Sequence, residues 1–404
     1  MKKLLSTVGA ITIATFFSSC SMHSEPIKRV EDWEGTHPDI IASYNLNNEM
    51  SETTYGGSVP IDYLKEHPNL NEFYEGYGFA KQYDRARGHV YGLEDVINTE
   101  RPKPGASCLS CKTADFVVAL EKDGVDVNSM DFDQFLDDHG GVEGMSTISC
   151  YDCHLNDPGT IQITRDHIND ALETAYIKDT TSIETLTCAQ CHVEYYLDPE
   201  TKEVILPIEY GYETDDMLKY YDDIDFADWE HPQTGAQLLK AQHPEMETFS
   251  GSVHEAMGLS CIDCHMPEVE GESGQTIKSH HWTSPLKNEE ALKDTCLTCH
   301  SDKSTDELIE WVEDIQGDVT DRTNEVSDEL VIFVRDLSEI KDNEDITEED
   351  LEKLRDIHRQ AQFKWDYVFV ENGEGFHNSA KAHKNLNEAE DLINEGNEIL
   401  QKYN

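Results

Sequence analysis

Ten of the eleven cysteines in this chain fall into five pairs with two residues between partners: Cys108/Cys111, Cys150/Cys153, Cys188/Cys191, Cys261/Cys264 and Cys296/Cys299. Four pairs run directly into a histidine (His154, His192, His265 and His300), whereas the first runs into Lys112. Zinc and redox centres also use Cys-x-x-Cys, but zinc would need the pairs to combine in fours and would leave four adjacent histidines unexplained. A Cys-x-x-Cys-His run is the attachment signal of a c-type haem, where two thiols bond the porphyrin and the next imidazole reaches its iron. A porphyrin is a broad apolar surface, so the region from about residue 50 to 300 needs few packed strands and helices of its own.

The first pair is the odd member. An amine binds a metal only when deprotonated, and a free lysine has a pKa of about 10.4. Burial and the charge of the metal would have to hold Lys112 neutral. Without a haem the same stretch reads as a disulfide or thiol pair beside a surface lysine. With one, the site differs from its companions, because electron-transfer haems fill both axial positions and a catalytic haem leaves one open.

The chain has 404 residues, enough for one large or two ordinary domains. Residues 1–20 read as an export signal: Lys2-Lys3, an apolar run from Leu4 to Phe17, then Ser18-Ser19 and Cys20. A cysteine at the cleavage point fits a lipoprotein signal, with Cys20 the acylated first mature residue; a plain secretory signal is the alternative. No later stretch is long and apolar enough to be a membrane helix. Lys plus Arg is 31 against Asp plus Glu 83, a formal charge of −52, which excludes nucleic acid as a partner and favours cationic ones.

Residues 21–50 are polar and aperiodic, as suits a tether. The last hundred residues are periodic. Leu308, Val312, Ile315, Val319, Val326, Leu330, Phe333, Leu337 and Ile340 recur at steps of four and three, with Arg322 in the one gap. That spacing predicts a long helix with a near-heptad seam. A second helix is expected from a Thr347 cap to the Gly373-Glu374-Gly375 break, and a third from Ser379 to Gln401. The seam fits an intramolecular bundle or a dimer interface within 303–404, since an apolar stripe does not say whose helix it meets. The fold class is mainly α: a multihaem cytochrome c fold with a haem-filled core and long C-terminal helices.

Fourteen of the 18 histidines lie outside the attachment runs, enough to give four haems a second imidazole, though spacing cannot assign them. Two further runs place oxygen and proton donors beside attachment sites: His192-Val193-Glu194-Tyr195-Tyr196 and Lys240-Ala241-Gln242-His243-Pro244-Glu245. On composition alone both also fit solvated loops.

Together with Cys261-Ile262-Asp263-Cys264-His265-Met266-Pro267, these runs, in this order, resemble the ammonia-forming pentahaem cytochrome c nitrite reductases, over nearly the whole mature chain. The resemblance implies residues 21–404 as one catalytic domain with five haem c groups and one Ca²⁺. It implies Lys112 as the proximal ligand of the active haem, with Arg101, Tyr195 and His243 in the distal pocket; Arg87 is the alternative arginine, because the stretch between Arg101 and Cys108 is short. It implies calcium on the Glu194 carboxylate, the carbonyls of Tyr195 and Lys240, and the Gln242 side chain. Proximal His154, His192, His265 and His300 would pair with distal His280, His89, His377 and His254 respectively, His281 being the neighbour that a one-residue shift would substitute for His280. It further implies nitrite as substrate, six-electron reduction to ammonium, a membrane quinol-oxidising multihaem cytochrome as donor, a homodimer, and a periplasmic site anchored through Cys20. The competing readings are a non-catalytic multihaem electron carrier and a related hydroxylamine- or sulfite-active enzyme.

Overall fold

The computed structural model describes residues 25–176 and 181–403, so the export signal and Cys20 lie outside the described residues. Its most regular part is C-terminal. Ser304 and Glu307 form a capping box, with Glu307 N–H donating to Ser304 Oγ (3.3 Å) and Ser304 N–H to Glu307 Oε2 (2.7 Å). From there one helix runs over Thr305–Ile340, 36 residues, a rod of about 54 Å at 1.5 Å per residue.

The middle helix, Glu348–Phe369, begins at the expected cap, where Asp350 N–H donates to Thr347 Oγ1 (3.1 Å). It ends at Phe369, short of the glycine break. Beyond it the Glu371 carboxylate gathers the N–H groups of Gly373 (2.8 Å) and Gly375 (3.1 Å) into a turn instead of letting the helix continue. Asn378 then caps the last helix, Ser379–Leu400.

The seam is used inside the chain. From Val319 onward its residues are buried against Leu354, Ile357, Ala361 and Trp365 of the middle helix and Leu386, Ala389 and Ile393 of the last. A Cβ on Gly396 would lie 2.4 Å from Phe333, so only glycine lets the last helix come this close. Arg322 fills the seam gap by pairing with Glu390 across the bundle (2.5 Å). The bundle reading therefore accounts for the stripe, and any contact with a second copy would use another face of 303–404. Leu70, Phe73 and Tyr74, from the first part of the chain, complete this core.

The rest is built from short pieces. The described strands form three two-stranded antiparallel hairpins, Tyr196–Leu197 with Val204–Ile205, Trp229–Glu230 with Gln237–Leu238, and Glu268–Glu270 with Thr276–Lys278. The fold is mainly α, as expected. Among the described residues no helix is long and apolar enough to cross a membrane.

Candidate active site

The second and fourth Cys-x-x-Cys-His runs lie in short helical stretches, Tyr151–His154 and Cys261–His265, and in the third and fifth the histidine N–H donates to the first cysteine's carbonyl in the same helical turn (His192 to Cys188, 2.9 Å; His300 to Cys296, 3.0 Å). One helical turn brings positions i, i+3 and i+4 to the same side, so both thiols and the imidazole address one porphyrin. The intervening aspartates fasten two of these turns: Ser149 N–H donates to Asp152 and Ser260 N–H to Asp263, both at 2.7 Å. Asp152 is held in turn by a buried pair with Arg165 at 2.5 Å.

Among the ten described cysteines no two form a disulfide, Cys108 and Cys111 included. All ten line one connected cavity of about 2470 Å³, several times the roughly 300–1,000 Å³ of a pocket for one small ligand. Lys112, Arg101, Tyr195, His243 and the eight histidines expected as axial ligands share its wall. The thiols also show which sites adjoin. Cys111 meets Cys191, Cys188 meets Cys261, Cys153 lies near Cys191, and Cys264 lies near Cys296. The sites thus run first, third, fourth, fifth, with the second beside the third.

Across this cavity the histidines face one another in pairs. With a metal–nitrogen bond of about 2 Å and a ring half-width of about 1.2 Å, imidazoles flanking one metal have centroids about 6.4 Å apart. The separations are 5.8 Å for His89 and His192, 6.4 Å for His154 and His280, and 6.2 Å for His265 and His377. His254 and His300 are close enough for their charges to oppose each other. His280, and not His281, faces His154.

Several rings are also oriented from behind. Nδ1 faces a main-chain carbonyl in His154 (Thr160, 3.0 Å), His280 (Lys278, 3.0 Å) and His265 (Thr283, 3.4 Å), and a carboxylate in His377 (Glu371, 2.5 Å) and His192 (Glu245, 3.5 Å). This leaves Nε2 for the cavity, the arrangement that metal-ligating imidazoles use. The residues present fit five haem groups.

The first site is furnished differently. The Lys112 stem lies 3.4 Å from where a Cβ on Gly92 would sit, and its amine is near enough to His243 to disfavour a charge there. Burial is the larger effect, and together with Lys112, His192 and Lys240 it brings His243 down to about 4. The buried His243 Nδ1 has no hydrogen-bond partner among the described residues. Burial, with Cys111 and Cys108 beside it, holds the Tyr195 phenol far above its usual range and therefore protonated. Arg101 lies 4.4 Å over the Phe79 ring and pairs with no described carboxylate. Arg87, the alternative, is neutralised by Asp95 (2.6 Å) and Glu94 (3.0 Å). Of these two arginines, Arg101 is the one that keeps its charge available to an anion.

The oxygen donors expected to hold calcium converge one layer behind. Glu194 is fully buried, accepts from Gln242 N–H (2.6 Å) and Tyr221 O–H (3.2 Å), and is pushed well above the carboxylate range by burial and by the neighbouring Glu247. Lys240, the nearest cation, is committed elsewhere, to Asp366 (2.9 Å) and the Ala241 carbonyl (2.7 Å). The Gln242 amide donates to the Lys240 carbonyl (3.1 Å), and a flip of that amide would add its oxygen to the cluster. Among the described residues no three His, Cys, Asp or Glu side chains form a metal cluster, so a cation here would rest on carbonyl and amide oxygens beside one carboxylate, a calcium-like donor set. The site fits that ion.

Three partners escaped sequence reasoning: Asp366, Glu245 and Glu371. Asp366 pins the Lys240–Ala241 loop to the middle helix, with Ala241 N–H donating to it at 3.0 Å. Glu245 had a signal, standing at the end of the Gln-His-Pro-Glu run, and Glu371 a weaker one, six residues before His377.

A family model of cytochrome c552 matches residues 29–403. The chain belongs to the cytochrome c552 family. It is 33% identical to the cytochrome c nitrite reductase subunit NrfA of Nitratidesulfovibrio vulgaris, over 94% of this chain and 82% of that one. Cytochrome c-552 of Porphyromonas gingivalis is 31% identical over 86% of this chain and 71% of its own length. Among solved structures, cytochrome c nitrite reductase from Desulfovibrio desulfuricans superposes with a TM-score of 0.85 at 30% identity, covering 93% of this chain and 86% of that one. That work describes two calcium sites in the catalytic subunit. The expected resemblance and the multihaem cytochrome c fold are thereby borne out.

Proposed function

We propose that this protein reduces nitrite to ammonium, taking up six electrons and eight protons and releasing two waters per nitrite. The observation that carries the reading is the contrast between sites: four present facing imidazoles, whereas the first presents Lys112 on a wall shared with Arg101, Tyr195 and His243. Relatives named as nitrite reductases support the same substrate.

In this reading Cys108 and Cys111 would hold the catalytic haem and Lys112 would be its iron ligand. When bound, that haem supplies electrons and an open iron position. Arg101 holds the anionic substrate through its planar, always charged guanidinium. Tyr195 offers a proton from its hydroxyl. His243, held neutral by burial, relays protons through its unpartnered Nδ1 rather than storing charge. Glu194, the Tyr195 and Lys240 carbonyls and Gln242 would hold calcium, and through it the two loops bearing Tyr195 and His243 would be kept in fixed geometry. The facing imidazoles of the other four sites would hold haems that supply electron transfer along the order of adjoining sites. Their source is a membrane quinol-oxidising multihaem cytochrome. The enzyme works in the periplasm, held near its donor by acylated Cys20. It is a homodimer through an outer face of 303–404, where Ile332 is exposed.

The test is nitrite reduction with a dye donor on the wild type and Lys112→His, with ammonium measured as product. The wild type should yield one ammonium per nitrite, and the variant, with an imidazole at that position, much less. No ammonium from the wild type would sink the reading.

A further inference from the structure

Two of the imidazoles assigned above as axial ligands differ from the others in what stands behind them. His154, His280 and His265 turn Nδ1 toward carbonyls, which are neutral dipoles. His377 turns it toward Glu371 (2.5 Å) and His192 toward Glu245 (3.5 Å), both buried carboxylates. One turn positions both. Glu371 is fixed by the N–H groups of Gly373 and Gly375, and the adjacent Asn372 donates its own N–H to Glu245 Oε1 (3.3 Å). The contact between Asn372 Nδ2 and the same Glu245 oxygen closes the link. The turn that delivers His377 to the fourth site thus also sets the carboxylate behind His192 at the third.

We propose that Glu371 and Glu245 lower the reduction potentials of the haems at the fourth and third sites relative to the haem at the second. The inference rests on the haem ligation proposed above. Two effects of the same sign support it. A carboxylate drawing on the Nδ1 proton makes the imidazole a stronger donor, which favours ferric iron. A fixed buried negative charge also opposes adding an electron nearby, and little solvent screens it. The second site has neither, because both of its imidazoles face carbonyls. At 3.5 Å the His192 contact is electrostatic rather than a formed hydrogen bond, so Glu371 has the larger effect. The consequence lies on the electron path: the third site adjoins both the fourth and the first, so Glu371 and Glu245 stand behind the two sites that lead to Lys112.

The test is an EPR-monitored redox titration of the holoenzyme, wild type against Glu371→Gln and Glu245→Gln, with haem content measured in each. Glutamine keeps an acceptor and removes the charge. In Glu371→Gln one low-spin haem should shift its ferric/ferrous equilibrium at least tenfold toward ferrous, a rise of about 59 mV for one electron, while the rest hold still. Glu245→Gln should move a different haem by less. Full haem content with no haem moving in either variant overturns the inference. Fewer than four low-spin haems in the wild type would instead overturn the ligation on which it rests. If Glu371→Gln fails to retain its haem, Glu245→Gln decides. If neither retains it, the wild-type spectrum decides: two low-spin signals with the strong axial field of imidazolate-like ligands support the inference, and four alike reject it.

Discussion

The two parts of this molecule are held together in different ways. The helices of 305–400 bury a continuous aliphatic and aromatic core, with Phe333, Leu337, Leu354 and Leu386 wholly inside. The region before them has short helical stretches, three small hairpins and separate smaller cores, such as those around Ile208 and Met217 and around Phe116 and Phe135, set about the cavity. The first part supplies all of its own apolar surface; the second supplies part and takes the rest from what its cavity holds. Cohesion by side chains tolerates the absence of a cofactor, and cohesion around a cofactor does not.

The largest expected effect breaks this comparison in one step. In chain produced without haem attachment, the amides of 305–340, 348–369 and 379–400 should exchange about a hundredfold more slowly than those of 140–300, as read by hydrogen-exchange mass spectrometry. Equal protection in both regions would show that the cavity walls stand alone.

Next comes the joint between the regions, the buried Lys240–Asp366 pair. Asp366→Ala leaves a charged lysine without its partner and should cost about 3–5 kcal/mol in denaturant unfolding of the holoenzyme. Because Lys240 carries the loop to Gln242 and His243, nitrite turnover should fall as well. Lost stability with unchanged turnover would mean that the loop is held by other contacts.

A smaller effect separates the helical part by pH. His358 is buried beside His231, and burial followed by that neighbouring ring brings it down to about 3. An unfolded histidine titrates near 6.5, so between these values the unfolded chain takes up the proton first. The contribution of His358 is present above about 6.5 and is lost as pH falls toward 3, by up to about 1.4 kcal/mol per pH unit. Acid unfolding of the helical region, followed by circular dichroism, should show a shallower slope in His358→Gln than in the wild type.

The smallest effect concerns the substrate. A chain of charge −52 repels nitrite overall, so the approach to Arg101 has to be locally positive. Then kcat/KM for nitrite is flat or declines as salt rises. A marked rise with salt would show that the global charge governs entry.

Much of this was legible in the sequence because it is local. The attachment sites are patterns within five residues, and the long helices announce themselves by period and, for the middle one, by its Thr347 cap. What the sequence left open were choices between residues that differ only in their distant neighbours. Arg101 and Arg87 are alike as residues; they part because Glu94 and Asp95 neutralise one of them. His280 and His281 are adjacent, and only the fold turns the first toward His154. The end of the middle helix was misplaced because the glycine break marks the turn, whereas Glu371 decides where the helix stops.

The sequence by itself determined that five Cys-x-x-Cys pairs exist, that a lysine follows the first, and that long helices close the chain. Each follows from short-range geometry, in which side chains a turn apart share a face. Tertiary structure alone decided which imidazoles oppose one another, that the apolar seam of Thr305–Ile340 is used within the chain, and which carboxylates stand behind His192 and His377. Those outcomes depend on contacts between segments far apart along the chain, and no local pattern encodes which buried charge will face which ring.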